Sequence, residues 1–302
     1  MSDFYFIVAG IIVGFCVGVT GVGGGSLMTP ILISVLGVPA NVAIGTDLLY
    51  ASISKFCGSM VHATKLNIVW PIVFWLSVGS IPASLGVTWS LHHFFSSGNE
   101  YKKLLTIVLG VMLVLTGISI VFRKSIERFF AKRRHIVLDE AARLAEPTDE
   151  HATALLKNKP LVVFMGVVLG VFVTLSSVGA GAFGIMALLL LFPNLPMIRI
   201  IGSDVAHAVL LTLVAGLGHL LTGNVDFHML TMLLIGAIPA IIAGTLLSSR
   251  LPEHHIRRVL GITLLLLGTN FIVNPVKPKA SSPATPAVTV PAVRPATVPS
   301  IS

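Results

Sequence analysis

Charged side chains are scarce in this sequence. Asp, Glu, Lys and Arg together make up 11% of the 302 residues, whereas 55% are hydrophobic. Soluble domains carry roughly a quarter charged residues. The composition therefore excludes an ordinary soluble protein and predicts an all-α polytopic membrane protein whose helices lie in a lipid bilayer.

Cysteine and the common catalytic motifs are also scarce. The two cysteines, Cys16 and Cys57, stand in apolar stretches without metal-ligand or redox spacing. No His-Glu-x-x-His, Gly-x-Ser-x-Gly or Cys-x-x-Cys sequence occurs in the chain. We therefore expect a protein that is not an enzyme and that holds no cofactor and no metal ion.

Positive charge is concentrated in the middle of the chain. The net charge is +8, and nine Lys or Arg residues lie between Arg123 and Lys159. Basic residues of membrane proteins accumulate in cytoplasmic loops. We interpret this segment as a cytoplasmic connector and not as a nucleic-acid-binding surface.

The longest uncharged run is interrupted near its middle by glycine. No charged residue occurs from Phe4 to Thr46, a run of 43 residues, about twice the length that one helix needs to cross a bilayer. Four glycines between Gly21 and Gly25 break the run, and only a short apolar limb follows. Irregular backbone at membrane depth is tolerated where it lines a cavity, so the break is a candidate substrate site.

The apolar segments divide the chain into two similar transmembrane repeats. We predict a first repeat over residues 1–122, the basic connector over 123–159 and a second repeat over 160–273. A Pro/Ala/Thr-rich flexible tail follows over 274–302. The second repeat has its own glycine break, predicted over 178–184, and a last span predicted over 259–273.

The two repeats align without a gap at an offset of 157 residues. The joint matches of Asp, His, Asn and Pro make chance an inadequate explanation. The aligned pairs are Pro39 with Pro196, Gly45-Thr46-Asp47 with Gly202-Ser203-Asp204, His62 with His219, Asn67 with Asn224, and Pro82 with Pro239.

Charge distribution favours repeats of opposite orientation. If each opening segment is a hairpin followed by three crossings, the chain has about eight spans and the second repeat is inverted. The N-terminus is then outside, and most basic residues face the cytoplasm. If each opening segment crosses the bilayer instead, Arg250, Arg257 and Arg258 lie outside.

Two half-helices that begin at the glycine breaks would form an anion site. Their first amide groups are free and carry the positive end of the helix dipole. The alternative is that these glycines only allow close helix packing. The candidate binding residues at the breaks are Gly21, Gly23, Gly24, Gly25, Ser26, Gly179 and Gly181.

Asp47 and Asp204 are acidic residues within predicted spans, where such residues are rare. One interpretation is proton or cation coupling, with the neighbouring hydroxyls of Thr46 and Ser203 contributing to substrate binding. The other is a structural role, in which the carboxylates cap the nearby glycine loops.

Three further polar residues lie in the same helices. Lys55 lies in mid-span, seven residues before His62, and is a candidate anion ligand. His62 and its counterpart His219 are candidate coupling residues, although hydrogen bonding at the helix ends is the simpler explanation.

Five motifs make the chain resemble a known family, the sulfite exporter TauE/SafE family of membrane permeases. The resemblance covers residues 5–273 and implies a multi-pass protein of a prokaryotic inner membrane. The motifs are Gly-Val-Gly-Gly-Gly-Ser-Leu-Met-Thr-Pro (21–30), Gly-Thr-Asp-Leu-Leu-Tyr-Ala (45–51), Gly-Ser-Met-Val-His (58–62), Gly-Ser-Asp-Val-Ala-His-Ala (202–208) and Gly-His-Leu-Leu-Thr-Gly-Asn-Val-Asp (218–226).

The sequence therefore predicts a secondary transporter for small anions. The resemblance implies sulfite, sulfonates or related organosulfur anions as substrates, with protons as a candidate coupling ion. Two alternatives stay open: a passive anion channel of the same fold, and an intramembrane aspartyl hydrolase that uses Asp47 and Asp204 as a catalytic pair.

Overall fold

The computed structural model describes residues 3–20, 25–64, 66–94, 102–122, 159–192, 195–247 and 253–275. Several predicted features lie outside these ranges. They are Gly21, Gly23 and Gly24 of the first break, the basic connector up to residue 158, and the tail from residue 276. The side chain of His62 is likewise not described.

Helices make up almost all of the described chain. Their bounds are α1 (Asp3–Thr20), α2 (Gly25–Ser34), α3 (Ala40–Thr64), α4 (Trp70–Phe94), α5 (Lys102–Phe122), α6 (Lys159–Ser176), α7 (Ala182–Leu191), α8 (Met197–Leu221), α9 (Phe227–Leu247) and α10 (Glu253–Val273). Two predicted boundaries were wrong. Helix α7 begins at Ala182, so three residues assigned to the second break are helical, and α10 begins at Glu253, six residues before the predicted start.

Six of the described helices are long and apolar enough to cross a membrane, namely α4, α5, α6, α8, α9 and α10. Helix α3 has the same 25-residue length as α8 but contains both Asp47 and Lys55, which lower its hydropathy. Helices α2 and α7, with 10 residues each, are about 15 Å long and reach only about halfway across a bilayer.

Stripes of small residues bring two pairs of helices into close contact. A Cβ atom added to Gly10 of α1 would lie 2.4 Å from the carbonyl oxygen of Leu233 in α9, and one added to Gly166 of α6 would lie 2.3 Å from that of Leu76 in α4. Such contacts recur one turn later at Gly14 and Gly170. Helix α1 therefore packs along α9, and α6 packs along α4, as glycine stripes allow in membranes.

Helices α3 and α8 lie at the centre and run antiparallel. Gly45, near the start of α3, packs against the carbonyl oxygen of Asn224, just after the end of α8. Gly202, near the start of α8, packs in the same way against Asn67, just after the end of α3. The start of each central helix therefore lies beside the end of the other.

Polar contacts show which helices begin at the same end of the molecule. Nε2 of His228, in the first turn of α9, lies 2.9 Å from Oδ1 of Asp3, at the start of α1. The amide of Asp226 donates to Oγ1 of Thr46, at the start of α3, over 3.0 Å. Helices α1 and α3 thus begin at the same end, and α2 must return towards that end after α1, which makes α1 and α2 a hairpin.

Candidate functional site

Each central helix directs a buried acidic side chain against a short helix. Asp47 of α3 is fully buried and accepts a hydrogen bond from the hydroxyl of Thr29 in α2. Asp204 of α8 is 1% exposed, and its Oδ1 lies 2.1 Å from where a Cβ of Gly184, in the first turn of α7, would stand. The two predicted acidic residues therefore occupy similar places beside the two half-helices.

The second glycine break is compact and turns sharply. Ser177, Gly179 and Gly181 all have positive φ angles, of 58°, 116° and 141°. The carbonyl oxygen of Gly179 accepts the amide of Gly184 over 2.9 Å, and that of Gly181 accepts the amide of Ile185 over 2.8 Å. Helix geometry leaves the first amides of α7, at 182 and 183, without an intrahelical acceptor.

Lys55 joins the two halves of the molecule at this break. Its Nζ donates to the carbonyl oxygen of Ala180 over 2.6 Å, across 125 residues of sequence. The ammonium group also interacts electrostatically with Asp204 and, more weakly, with Asp47. The structure thus brings together Lys55, Asp47 and Asp204, which the sequence analysis selected separately. They lie beside the second glycine break, where α7 begins.

Thr46 and Ser203 lie away from this centre, at opposite ends of the molecule. Thr46 accepts the amide of Asp226, which precedes α9, and Ser203 accepts the amide of Val69, which precedes α4, over 2.9 Å. Ser203 also donates to the carbonyl oxygen of Arg199. Both hydroxyls therefore hold the loop before a helix of the opposite half, and neither is placed with Lys55.

Two buried histidines of α8 bond within the helix core. Nε2 of His219 lies 2.9 Å from the carbonyl oxygen of Thr174 in α6, which links the end of α8 to the helix before the second break. Nε2 of His207 lies 2.8 Å from Oγ of Ser80 in α4. Both histidines are about 1% exposed, so they tie α8 to its neighbours.

The first break is described only where α2 begins. Gly25 is the first residue of that helix, and Ser26 is buried at 5% exposure. Four residues that contact the predicted site residues or His207 were not predicted from the sequence, namely Thr29, Ser80, Ser177 and Ala180. Thr29 could have been selected because it belongs to the 21–30 motif. The other three have partners that are distant in sequence, and no sequence pattern points to them.

The arrangement is that of a membrane transporter. It combines apolar spanning helices with charged groups buried between two half-length helices, the form that substrate sites take in helical transporters. Comparison with known proteins agrees: the family described as "Sulfite exporter TauE/SafE" matches residues 6–271. The chain belongs to this family.

The relatives come from bacteria and archaea. The "Probable membrane transporter protein YjnA" of Bacillus subtilis is 34% identical over 88% of this chain and 98% of its own length. A "Probable membrane transporter protein" of Xylella fastidiosa is 26% identical over 85% of this chain and 90% of its own. The "Probable membrane transporter protein MJ0441" of Methanocaldococcus jannaschii is 27% identical over 85% and 92%. No solved structure matches the chain.

Proposed function

We propose that this protein is a secondary transporter for small anions, with sulfite and organosulfonates as the substrate class. The observation that supports this most is the position of Lys55. Its ammonium group lies at the carbonyl of Ala180, two residues before α7 begins. A fixed cation beside free helix amides favours an oxyanion. The family description names sulfite, which suits the same chemistry.

The proposed architecture is an inverted duplication. Helices α1, α3, α4 and α5 would be the four spans of the first half, and α6, α8, α9 and α10 those of the second, with α2 and α7 as returning half-helices. The antiparallel contacts of Gly45 with Asn224 and of Gly202 with Asn67 support this assignment. The positive-inside trend assigns the basic connector to the cytoplasm, which supports an N-terminus outside a prokaryotic inner membrane.

The proposed cycle uses charge neutralisation at the centre. In the described state Lys55 donates to Ala180, and an entering anion takes the place of that carbonyl oxygen. Asp47 and Asp204 would repel an anion while ionised, so they must be neutralised when the substrate binds. Coupling cations at the carboxylates provide that neutralisation, which is the reason to assign both acids to coupling.

Flux measurements on purified protein in lipid vesicles test this function. We expect uptake of sulfite or methanesulfonate that is abolished in Lys55→Ala, is retained in part in Lys55→Arg and is unchanged in Lys102→Ala, a control at the start of α5. Uphill accumulation under a cation gradient indicates a coupled transporter, and flux that only follows the anion gradient indicates a channel. Wild-type flux that is unchanged by Lys55→Ala would contradict the proposed site.

A further inference from the structure

Asp47 and Ser177 bring two buried oxygen atoms near each other without a hydrogen bond between them. Asp47 is 0% exposed and Ser177 is 2% exposed. Thr29 donates to Oδ2 of Asp47, whereas Oδ1 of Asp47 and Oγ of Ser177 have no partner in the described part of the chain. The hydroxyl of Ser177 is a near neighbour of the Asp47 carboxylate, within reach of a long or bent hydrogen bond, although the pair does not meet ordinary hydrogen-bond geometry. Buried polar atoms almost always have a partner, so this pair points to a ligand.

The charges around Asp47 indicate what kind of ligand this is. Lys55 interacts electrostatically with both carboxylates, and Oδ2 of Asp204 also has no partner among the described residues. When both acids are ionised, two carboxylates face one ammonium group, so one negative charge is left over. The carboxylate of Asp47 lies beside a second unpartnered oxygen, Oγ of Ser177, which assigns the missing partner to this side. A buried charge without a counter-ion is strongly destabilising. The missing partner of Asp47 is therefore a cation.

The other groups around Asp47 do not supply this charge. Tyr50 on α3 is the remaining titratable neighbour, and its hydroxyl also lacks a partner among the described residues. Helix α2 and the second break present hydroxyls, those of Thr29 and Ser177. On α8, His207 interacts with Lys55 and is bonded to Ser80. Among the described residues, the oxygens around Asp47 are hard ligands, which suit a proton or an alkali cation.

We propose that a monovalent coupling cation, a proton or a sodium ion, binds between Oδ1 of Asp47 and Oγ of Ser177. A proton would reside on Oδ1 and donate to Oγ, whereas a sodium ion would be coordinated by both oxygens. The site joins the two halves, since Asp47 belongs to α3 and Ser177 to the break before α7. Cation binding therefore tightens the contact beside the proposed anion site and supplies, at Asp47, one of the neutralisations that the proposed cycle requires.

This inference rests on the proposed function for its transport readout, and a binding readout separates the two. The thermal-unfolding midpoint of purified wild-type protein is measured against pH at constant ionic strength, and against NaCl with choline chloride as the matched salt. We expect the unfolding midpoint to rise with the concentration of one of the two cations, either the proton or sodium. Removing the Ser177 hydroxyl removes one of the two ligands, and we expect about tenfold weaker cation affinity.

Two variants of Ser177 separate the hydroxyl from the backbone. Its φ of 58° suits glycine better than any residue with a Cβ atom, so Ser177→Gly relaxes the turn while Ser177→Ala keeps the strain that serine already carries. Both variants are expected to show the weaker cation dependence. Ser119→Ala, a buried serine of α5 bonded to its own helix at Leu115, is expected to behave as wild type.

In vesicles, both Ser177 variants are expected to retain downhill anion flux and to lose accumulation driven by the pH gradient or by the sodium gradient. The gradient that drives accumulation in the wild type identifies the cation. A midpoint that depends on neither cation, or equal dependence in wild type and both Ser177 variants, overturns the cation site whatever the flux shows. Absence of all anion flux in the wild type, with the cation dependence intact, contradicts the proposed function alone.

Discussion

The hydroxyl of Ser52 donates a hydrogen bond to the carbonyl oxygen of Val209 over 3.3 Å, and these residues lie 157 positions apart. This separation equals the offset between the two halves, so the two residues hold equivalent positions in α3 and α8. The proposed inverted duplication predicts such a contact close to its two-fold axis. The reciprocal contacts of Thr46 with Asp226 and of Ser203 with Val69 are likewise those that the proposal predicts.

Substitution of Gly45 or Gly202 by alanine tests the reciprocal contact. A Cβ atom at Gly45 would lie 2.2 Å from the carbonyl oxygen of Asn224, and one at Gly202 would lie 2.5 Å from that of Asn67. Backbone atoms cannot move aside without distorting a helix end, so we expect each variant to lose about 1–3 kcal/mol of stability. Thermal unfolding of the purified protein in detergent measures the loss.

Gly86→Ala is the matched control for these variants, because nothing lies within 4 Å of a Cβ at that helical position. It should leave the midpoint unchanged or raise it slightly, since alanine favours the helix. Equal midpoints for Gly45→Ala and Gly86→Ala would show that the contact with Asn224 does not hold the two halves together.

Much of this fold could be predicted from the sequence, because long apolar runs indicate membrane helices and because several motifs align at one offset of 157 residues. The bounds of α2 and α7, 25–34 and 182–191, differ by the same 157 residues. The central site was harder to predict from the sequence. Asp47, Lys55 and Asp204 were selected because charge is rare in spans, but Ser177 and Ala180 are ordinary residues whose role depends on contacts across 125 or more positions.

The roles predicted for the hydroxyl groups of Thr46 and Ser203 show the same limit of prediction from sequence. Thr46 and Ser203 stand next to the two acidic residues in sequence, which suggested a shared site. Adjacent residues of a helix point about 100° apart, so Thr46 faces the loop of the other half while Asp47 faces α2. Sequence proximity therefore pointed to the wrong neighbour, and Thr29, eighteen positions away, is the hydroxyl that bonds to Asp47.

Gly184→Ala should displace the carboxylate of Asp204. The added Cβ would stand 2.1 Å from Oδ1, so either the side chain or α7 has to move. We expect a loss of stability of about 1–3 kcal/mol, together with reduced transport. The double variant Gly184→Ala/Asp204→Ala removes the obstructing group, and the penalty of the alanine should be clearly smaller in that background. An unchanged penalty would mean that the carboxylate is not what Gly184 accommodates.

Thr29→Val should weaken α2 at its contact with α3. Valine has nearly the shape of threonine but cannot donate to Asp47, and a hydrogen bond to a charged group contributes about 1.5–3 kcal/mol. Thr29→Ser keeps the donor and should stay close to wild type. Thr106→Val, at a buried threonine that bonds to its own helix at Lys102, controls for the loss of a hydroxyl. Equal unfolding midpoints for Thr29→Val and Thr29→Ser would count against the bond to Asp47.

Cysteine labelling at Leu66 and Gly223 tests the inverted arrangement in the membrane. The two residues are equivalent positions of the two halves, 157 apart, and follow the ends of α3 and α8. Leu66 is 79% exposed, and a side chain at Gly223 would meet nothing within 4 Å. In a background with Cys16 and Cys57 replaced by alanine, we expect a membrane-impermeant maleimide to reach Gly223→Cys in intact cells. Leu66→Cys should react only after the membrane is opened, because the basic connector assigns its end to the cytoplasm. Labelling of both positions from the same side would indicate parallel repeats and would contradict the antiparallel pairing of α3 and α8.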